Sequence, residues 1–465
     1  MKFSTEGLRL AGMDLVAPLS VDVVMDPDEE LDGQGAQSLS FQHIARVLPE
    51  RRVSGVALWG HKPVFAKLFY GSNARRYWQR EIDGARMLRS AAVRSPRLLE
   101  TGATADGGGF VVLYEVIESA ANLTEDSIDG LSEAVRLLAQ LHEANLIQSD
   151  VHLDNFVRSG ETVYVVDADG LRRAQLLRHH FANLALLLAQ RAPWYDSDIQ
   201  LHWQNYADVR GEYVANMGSV DQLRKLTSDE RRQRVRRYLK KTQRECTEFV
   251  RRKRFSREFL CLRAHWPQLE RFMIFPESYV GEGTPLKLGN SATVVRCVIG
   301  DTSYVVKRYN IKGFGHRLRR WIKRRARNAW TNGHWLSFLG IPTARPVALL
   351  EQRFGWFVGV CYLVMEDAGD RHLGQILTSD PECFDELSAS AVALLKKLKA
   401  AGITHGDMKA TNFLVDEASL QMTIIDYDAL AEGGLDMDLQ RFLANWEDQP
   451  ELKQRWRATL AANGL

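Results

Sequence analysis

Cysteine is scarce in this 465-residue chain, and the first 245 residues contain none. The five that occur (Cys246, Cys261, Cys297, Cys361, Cys383) are scattered, odd in number and never at metal-ligand spacing. That excludes a disulfide framework and a cysteine zinc site, and it points to a reducing compartment. Long apolar runs are missing as well. The longest, around Leu184–Ala189, is far short of the ~20 residues a membrane span requires. Arg9 and Asp14 interrupt the stretch that a signal peptide would need. The expected location is therefore the cytoplasm, with any membrane contact peripheral. Two further absences are local: no Gly-x-Gly-x-x-Gly loop occurs before either candidate lysine, and no Asp or Glu stands between Asp301 and Glu351.

The length suggests two to three domains, and 45% hydrophobic with 26% charged residues provides for an ordinary globular core. The net charge of +3 is unremarkable, but its distribution is uneven. The first 40 residues lean acidic, whereas 231–257 and 316–327 are dense in Arg and Lys. Local charge therefore says more about partners than the total does.

One order of elements appears twice. In the first copy, 55–59 and 64–69 read as paired strands about a Gly60–Pro63 turn. A helix follows at 75–90, then a strand at 110–117 and a helix at 131–144. That helix leads into Ser149-Asp150-Val151-His152-Leu153-Asp154-Asn155, and a strand at 163–166 delivers Asp167-Ala168-Asp169-Gly170. The second copy opens at Gly289-Asn290-Ser291-Ala292, continues through Tyr304-Val305-Val306-Lys307 and a basic helix over 316–339, and then a strand at 361–365 and a helix at 388–401. It ends in His405-Gly406-Asp407-Met408-Lys409-Ala410-Thr411-Asn412, a strand at 422–425 and Asp426-Tyr427-Asp428.

Phosphoryl transfer needs a cation on the nucleotide phosphates, carboxylate and amide oxygens for Mg²⁺, and a carboxylate near the acceptor hydroxyl. Each copy supplies them in that order. Lys67 and Lys307 end β-rich runs. Asp150 and Asp407 precede Asn155 and Asn412 by five residues, so that one short loop presents a base and an amide together. Asp167 and Asp426 follow apolar strands. Taken singly, each has an ordinary reading as a solvated strand lysine or a turn aspartate. The ordered set, repeated 257 residues apart from Asp150 to Asp407, carries the functional reading.

The set His405-Gly406-Asp407 to Asn412, followed by Asp426, resembles the catalytic loop and Mg²⁺ site of the protein-kinase superfamily. More narrowly, both halves resemble the bacterial lipopolysaccharide core kinases that phosphorylate Kdo or heptose (the Kdo/WaaP, InaA-like family). The phrases behind this are Leu339-Gly340-Ile341-Pro342-Thr343-Ala344-Arg345-Pro346, Ile425-Asp426-Tyr427-Asp428, and Arg236-Arg237-Tyr238-Leu239-Lys240-Lys241 running into Arg244-Glu245-Cys246. The resemblance implies an α+β chain of two tandem kinase-like domains, each with a small β-rich N-lobe and a helical C-lobe. The first spans 1–265, with its N-lobe about 40–117 and its C-lobe about 118–265. A linker occupies 266–284, where Pro267, Pro276, Gly281 and Gly283 cluster. The second spans 285–465, with its N-lobe about 285–367 and its C-lobe about 368–465.

By the same resemblance, ATP and Mg²⁺ are the cofactors. Asp150 and Asp407 are the bases, and Lys409 is a catalytic γ-phosphate lysine. Lys67, Glu81, Lys307 and Gly289 belong to nucleotide binding, Glu81 as the helix partner of Lys67. Asn155, Asp167, Asn412 and Asp426 hold metal. The departures are Gln148 where the motif has His, His152 where the second copy has Lys409, and a second lysine with no helix glutamate. The basic helix carries seven cations (Arg317, Arg319, Arg320, Lys323, Arg324, Arg325, Arg327) and no acid, too one-sided for a salt-bridged surface. The expected partners are a phosphorylated glycolipid of the lipopolysaccharide core and an anionic membrane surface. Nucleic acid is not expected, because no reader motif is visible. A protein kinase and a partly inactive pseudokinase scaffold are the alternatives.

Overall fold

The computed structural model describes residues 2–25, 36–310, 325–354 and 357–465. They divide into two compact units, Met1–Arg191 with Tyr195–Arg231, and Ala192–Trp194 with Arg232–Leu465.

The first unit begins with helix α1 (Thr5–Ala11), capped by the Ser4 hydroxyl, which accepts from Gly7 N. Six strands follow: β1 (Leu19–Met25), β2 (Gln37–Leu48), β3 (Arg52–Trp59), β4 (Lys62–Tyr70), β5 (Leu98–Thr104) and β6 (Gly109–Tyr114). They close into a barrel in the order β1-β2-β3-β4-β6-β5. Strand β1 and the start of β2, expected to precede the lobe, are therefore part of it: β1 pairs with both β2 and β5. Side-chain alternation assigns the faces. Val53, Ala57, Val64, Ala66 and Leu68 fill the barrel interior together with Leu8 of α1. Arg52, Ser54, Phe65 and Lys67, on the opposite face, border a cavity.

Helix α2 (Ala74–Ser90) packs Ile82 against Phe69, Val112 and Tyr114. Helices α3 (Ile128–Glu143), α4 (Leu177–Leu188) and α5 (Ile199–Arg210) form the core of a helical part, with Leu138, Leu184 and Tyr206 fully buried in it. Short strands β7 (Ala121–Asn122), β8 (Leu146–Gln148), β9 (Phe156–Ser159), β10 (Thr162–Val165) and β11 (Leu171–Arg173) frame the loops of the site.

The division between units falls within α6 (Val220–Lys241), which corrects the expected boundary at 265. Strands β12 (Phe249–Arg254) and β13 (Arg257–Leu262) are not part of the first unit's helical lobe. They begin the second unit's seven-stranded sheet, ordered β12-β13-β17-β18-β16-β15-β14. Its other strands are β14 (Thr284–Leu288), β15 (Ala292–Ile299), β16 (Thr302–Tyr309), β17 (Pro346–Phe354) and β18 (Phe357–Glu366). Phe259 and Leu260, fully buried, pair with Leu350 and Leu349 of β17 and fix the hairpin there. The expected linker is also structured. Pro267 and Pro276 open α7 (Trp266–Ile274) and α8 (Pro276–Glu282), where a missing N–H costs nothing.

Of the basic helix, Arg317, Arg319, Arg320, Lys323 and Arg324 lie outside the described residues. Helix α9 (Arg325–Phe338) contains the other two. These are ion-paired, contrary to the expectation of a one-sided surface: Arg325 reaches Asp428 at 2.9 Å, and Arg327 reaches Glu351 at 2.6 Å and Glu258 at 3.1 Å. The acids missing from the local sequence come from β13, β17 and the 426–428 turn. Within 231–257, Arg231 pairs with Asp196, Arg251 with Glu258 and Arg252 with Glu245, whereas Arg236, Arg237, Lys240 and Lys241 are exposed.

His334 of α9 is fully buried, edge-on to Trp330 at 4.2 Å and to Phe249 at 5.3 Å, and both ring nitrogens lack a hydrogen-bond partner among the described residues. Burial, aided by Arg345, pushes its imidazole down to about 3. The folded group stays neutral while the unfolded one takes up a proton below its ordinary value near 6.5. This histidine's contribution to stability is thus complete above that value and is lost as the pH falls toward 3, at ~1.4 kcal/mol per pH unit. His334→Phe should flatten the fall in unfolding free energy between pH 6 and 4 by about one proton. An unchanged pH slope in urea titrations would exclude a neutral buried His334.

Candidate functional site

In the first unit the ammonium of Lys67 on β4 is almost fully buried. It donates to Glu81 Oε1 of α2 at 2.7 Å, to Asp167 Oδ1 at 3.2 Å and to the Val166 carbonyl at 3.3 Å. Glu81 is fully buried and also accepts from the Tyr114 hydroxyl at 2.7 Å. Burial and the adjoining carboxylate push the Tyr114 phenol well above its ordinary range, so it remains a donor. Burial alone would raise Asp167, but Lys67 and Arg52 outweigh it and hold the carboxyl at about 2. Lys67 is likewise pulled down by burial and raised above its ordinary value by Glu81 and Asp167.

Gly84 explains how α2 comes this close. A Cβ there would lie 2.0 Å from the Ala168 carbonyl oxygen, so any other residue would push the helix, and Glu81 with it, away from the 167–170 turn. Arg51 secures that turn from above through Asp169 Oδ2 at 2.7 Å while lying over the Tyr77 ring.

Asp150 is exposed at the mouth of the loop, and the Asn155 amide spans it by donating to the Asp150 carbonyl at 3.3 Å. Gln148, where the motif has His, donates to the Asp167 carbonyl at 2.8 Å and so ties the loop to the turn. The loop rests on a buried column. Asn183 accepts from Gln148 N and donates to its carbonyl, His142 Nε2 lies 3.2 Å from Asn183 Oδ1, and His142 Nδ1 lies 2.7 Å from the Tyr206 hydroxyl. Burial, reinforced by His180, keeps His142 well below its ordinary value and hence neutral. It then donates from Nε2 to Asn183 and accepts from Tyr206 at Nδ1. A cavity of about 710 Å³ is bordered by Lys67 and Asp167 and walled by Val56, Phe65, Tyr114, Ile117 and Val157.

Among the described residues no cluster of three His, Cys, Asp or Glu could hold a metal. Asn155 and Asp167 nevertheless fit Mg²⁺, which takes few protein ligands and prefers hard oxygens. The Asn155 Oδ1 is buried with no hydrogen-bond partner, while its amide nitrogen is already committed to Asp150.

In the second unit Lys307 of β16 donates to Asp426 Oδ1 at 2.6 Å and to Asp428 Oδ1 at 3.1 Å. Asp428 also accepts from the Tyr309 hydroxyl at 2.9 Å and pairs with Arg325. The sequence offers no helix glutamate for this lysine, and Asp428, outside the lysine–aspartate pattern, takes that place; its signal is its position two residues after Asp426. Burial would raise Asp426, but Lys307 prevails and holds it below the usual carboxylate range. Asp426 is also left-handed, with φ 59°, a conformation that costs a non-glycine residue energy. The Asn412 amide donates to the Asp407 carbonyl at 2.8 Å, and Lys409 pairs with Asp407 at 2.8 Å while remaining exposed. Buried Asp438 accepts from the backbone of His405 and Gly406, and His405 Nε2 lies 3.0 Å from the Ile425 carbonyl. Gly289 is set in a short turn, its N–H on the Ala292 carbonyl and its carbonyl accepting from Asn310.

No protein-family model matches the chain, and no curated protein does. Among solved structures, WaaP in complex with acyl carrier protein is 16% identical, with a TM-score of 0.29, and the match covers 42% of this chain and 88% of that one. A rhoptry kinase from Toxoplasma gondii is 13% identical, with a TM-score of 0.32, covering 49% and 90%. Likeness at this level decides neither fold nor activity, and the functional reading rests on the site itself.

Asp428→Ala would leave Lys307 with Asp426 alone and strip Arg325 and Tyr309 of their acceptor. Removing one partner of a buried pair costs about 3 kcal/mol or more. Denaturant unfolding should show that loss, and an unchanged midpoint would refute Asp428 as the lysine's anchor.

Proposed function

We propose that the chain is an ATP-dependent phosphotransferase built from two kinase-like copies, with the first unit as the principal site of transfer. One observation carries this reading: a buried lysine held by a helix glutamate and a turn aspartate closes one end of a cavity large enough for a nucleotide, beside a loop that offers a carboxylate and an amide. Lys67 would contact the nucleotide phosphates, with Glu81 fixing its position. Asn155 and Asp167 would hold Mg²⁺, which when bound supplies charge neutralisation on the phosphate oxygens. Asp150, exposed at the mouth, would accept the proton of the acceptor hydroxyl as its oxygen bonds to the γ-phosphorus and the bond to ADP breaks.

The proposed acceptor is a sugar of the lipopolysaccharide inner core, Kdo or heptose, at the cytoplasmic face of the membrane. Support comes from the resembling motif phrases and from the exposed cations Arg236, Arg237, Lys240 and Lys241, which suit a phosphorylated glycolipid. Among the described residues no helix is long and apolar enough to cross a membrane. A second reading has a specific basis for the second unit alone. Lys307 is bound by two carboxylates of one turn rather than by a helix, which favours a supporting, weakly nucleotide-binding role.

Incubation with ATP and core oligosaccharide, followed by mass spectrometry, should show the mass of one added phosphate; no transfer to any sugar hydroxyl would refute the acceptor class. Asp150→Ala should lower turnover by roughly 10²–10⁴-fold, the usual worth of a positioned base, with ATP affinity retained. Titration with Mg-ATP should lose its tighter phase in Lys67→Ala and keep it in Lys307→Ala. The reverse result would move the principal site to the second unit.

A further inference from the structure

Arg52 is a cation that the lysine–aspartate pattern does not include. It opens β3 and is 5% exposed, and it borders the same end of the cavity as Lys67 and Asp167. Its Nη1 lies 3.7 Å from Asp167 Oδ1 and 4.0 Å from Glu81 Oε2. Those are charge contacts but not hydrogen bonds. Nε and Nη1 are both buried, and neither has a hydrogen-bond partner among the described residues. A buried guanidinium with idle donors is expensive to keep, and its planar fork matches a phosphate better than any other side chain does.

The backbone around it shows why a side chain is needed there. Strands β2 and β3 are joined by the turn Leu48-Pro49-Glu50-Arg51, closed by Arg51 N on the Leu48 carbonyl at 3.1 Å. Glu50 is left-handed at φ 59°, and a Cβ on Gly71 would meet its carbonyl oxygen at 2.4 Å. The turn is short, has no glycine and is tied down through Arg51 to Asp169. It has no run of free amides to wrap around phosphates, as a glycine-rich loop would.

We infer that Arg52 is a polyphosphate-binding residue of the first unit, its idle guanidinium donors doing from β3 what glycine-loop amides would otherwise do. The ligand class is a nucleoside di- or triphosphate, and the inference rests on the phosphotransferase reading of this cavity. Arg52 and Lys67 then form a two-cation end to the cavity, so that anchoring of the phosphates does not depend wholly on metal.

The test is calorimetric titration of the full chain with ATP, adenosine and inorganic tripolyphosphate, each with Mg²⁺ and with chelator, for the native protein, Arg52→Gln and Arg52→Lys. Arg52→Gln should weaken ATP and tripolyphosphate by roughly 10- to 100-fold, the worth of one or two hydrogen bonds to a charged group, with and without Mg²⁺. Adenosine should be unaffected. Equal losses for ATP and adenosine, or no loss for either polyphosphate, would reduce Arg52 to a counter-ion of Glu81 and overturn the inference. If Arg52→Gln does not fold, Arg52→Lys decides: it keeps the buried charge but not the fork, and undiminished ATP affinity in it would also overturn the inference. Native protein that binds tripolyphosphate in an Arg52-dependent way but neither ATP nor adenosine would uphold the anion site and sink the nucleotide reading instead.

Discussion

A buried ammonium is the constraint around which the first unit is organised. Taking the Lys67 charge out of water costs several kcal/mol, and only close, well-directed carboxylates offset it. Each partner arrives from a different element: Glu81 from a helix, Asp167 from the end of a strand, with the Tyr114 hydroxyl from β6 bound to the glutamate. The helix can deliver its glutamate only because Gly84 lets it lie against the Ala168 carbonyl. Sheet, helix and turn are therefore held in one arrangement by a single charge, and the cavity is the space this leaves.

The second unit meets the same demand by other means. Its lysine takes both carboxylates from one turn, Asp426 and Asp428, and helix α9 contributes a cation, Arg325, where the first unit's helix contributes an anion. The supports of the two loops differ in chemistry as well. A neutral amide, Asn183, holds Gln148 through the backbone on both sides, while a buried carboxylate, Asp438, gathers the N–H groups of His405 and Gly406.

What the sequence revealed follows from how local each signal is. Asp150, Asn155 and Asp167 stand at short spacings, and Lys67 precedes them in the same order that Lys307 precedes Asp407, Asn412 and Asp426, so they could be read as a set. Arg52 and Asp428 were harder to read: one is an arginine among arginines at a turn, and the other, marked only by its place two residues after Asp426, acts through contacts 121 and 103 residues away, to Lys307 and Arg325. The strands about 55–59 and 64–69 were legible from two β-rich runs on either side of a Gly60–Pro63 turn. The 249–262 hairpin was hidden because Arg251, Arg252, Lys253 and Arg254 give one strand the look of a charged surface segment, although its partner strand is almost wholly buried. Pro267 and Pro276 read equally as breaks or as helix starts, and only packing decided between them.

The two β-structures also differ in how they treat a foreign chain. A ring of strands has every ladder partner supplied internally, so the first unit's barrel presents no template on which another polypeptide could extend it. The second unit's open sheet has two edges, and each is spoiled chemically. On β14, all five residues are exposed, but Pro285 removes a donor and Lys287 adds a charge. On β12, Arg252, Lys253 and Arg254 line the outer end. Self-association through strand pairing, the usual route from an open sheet to fibrils, is thereby opposed at both margins.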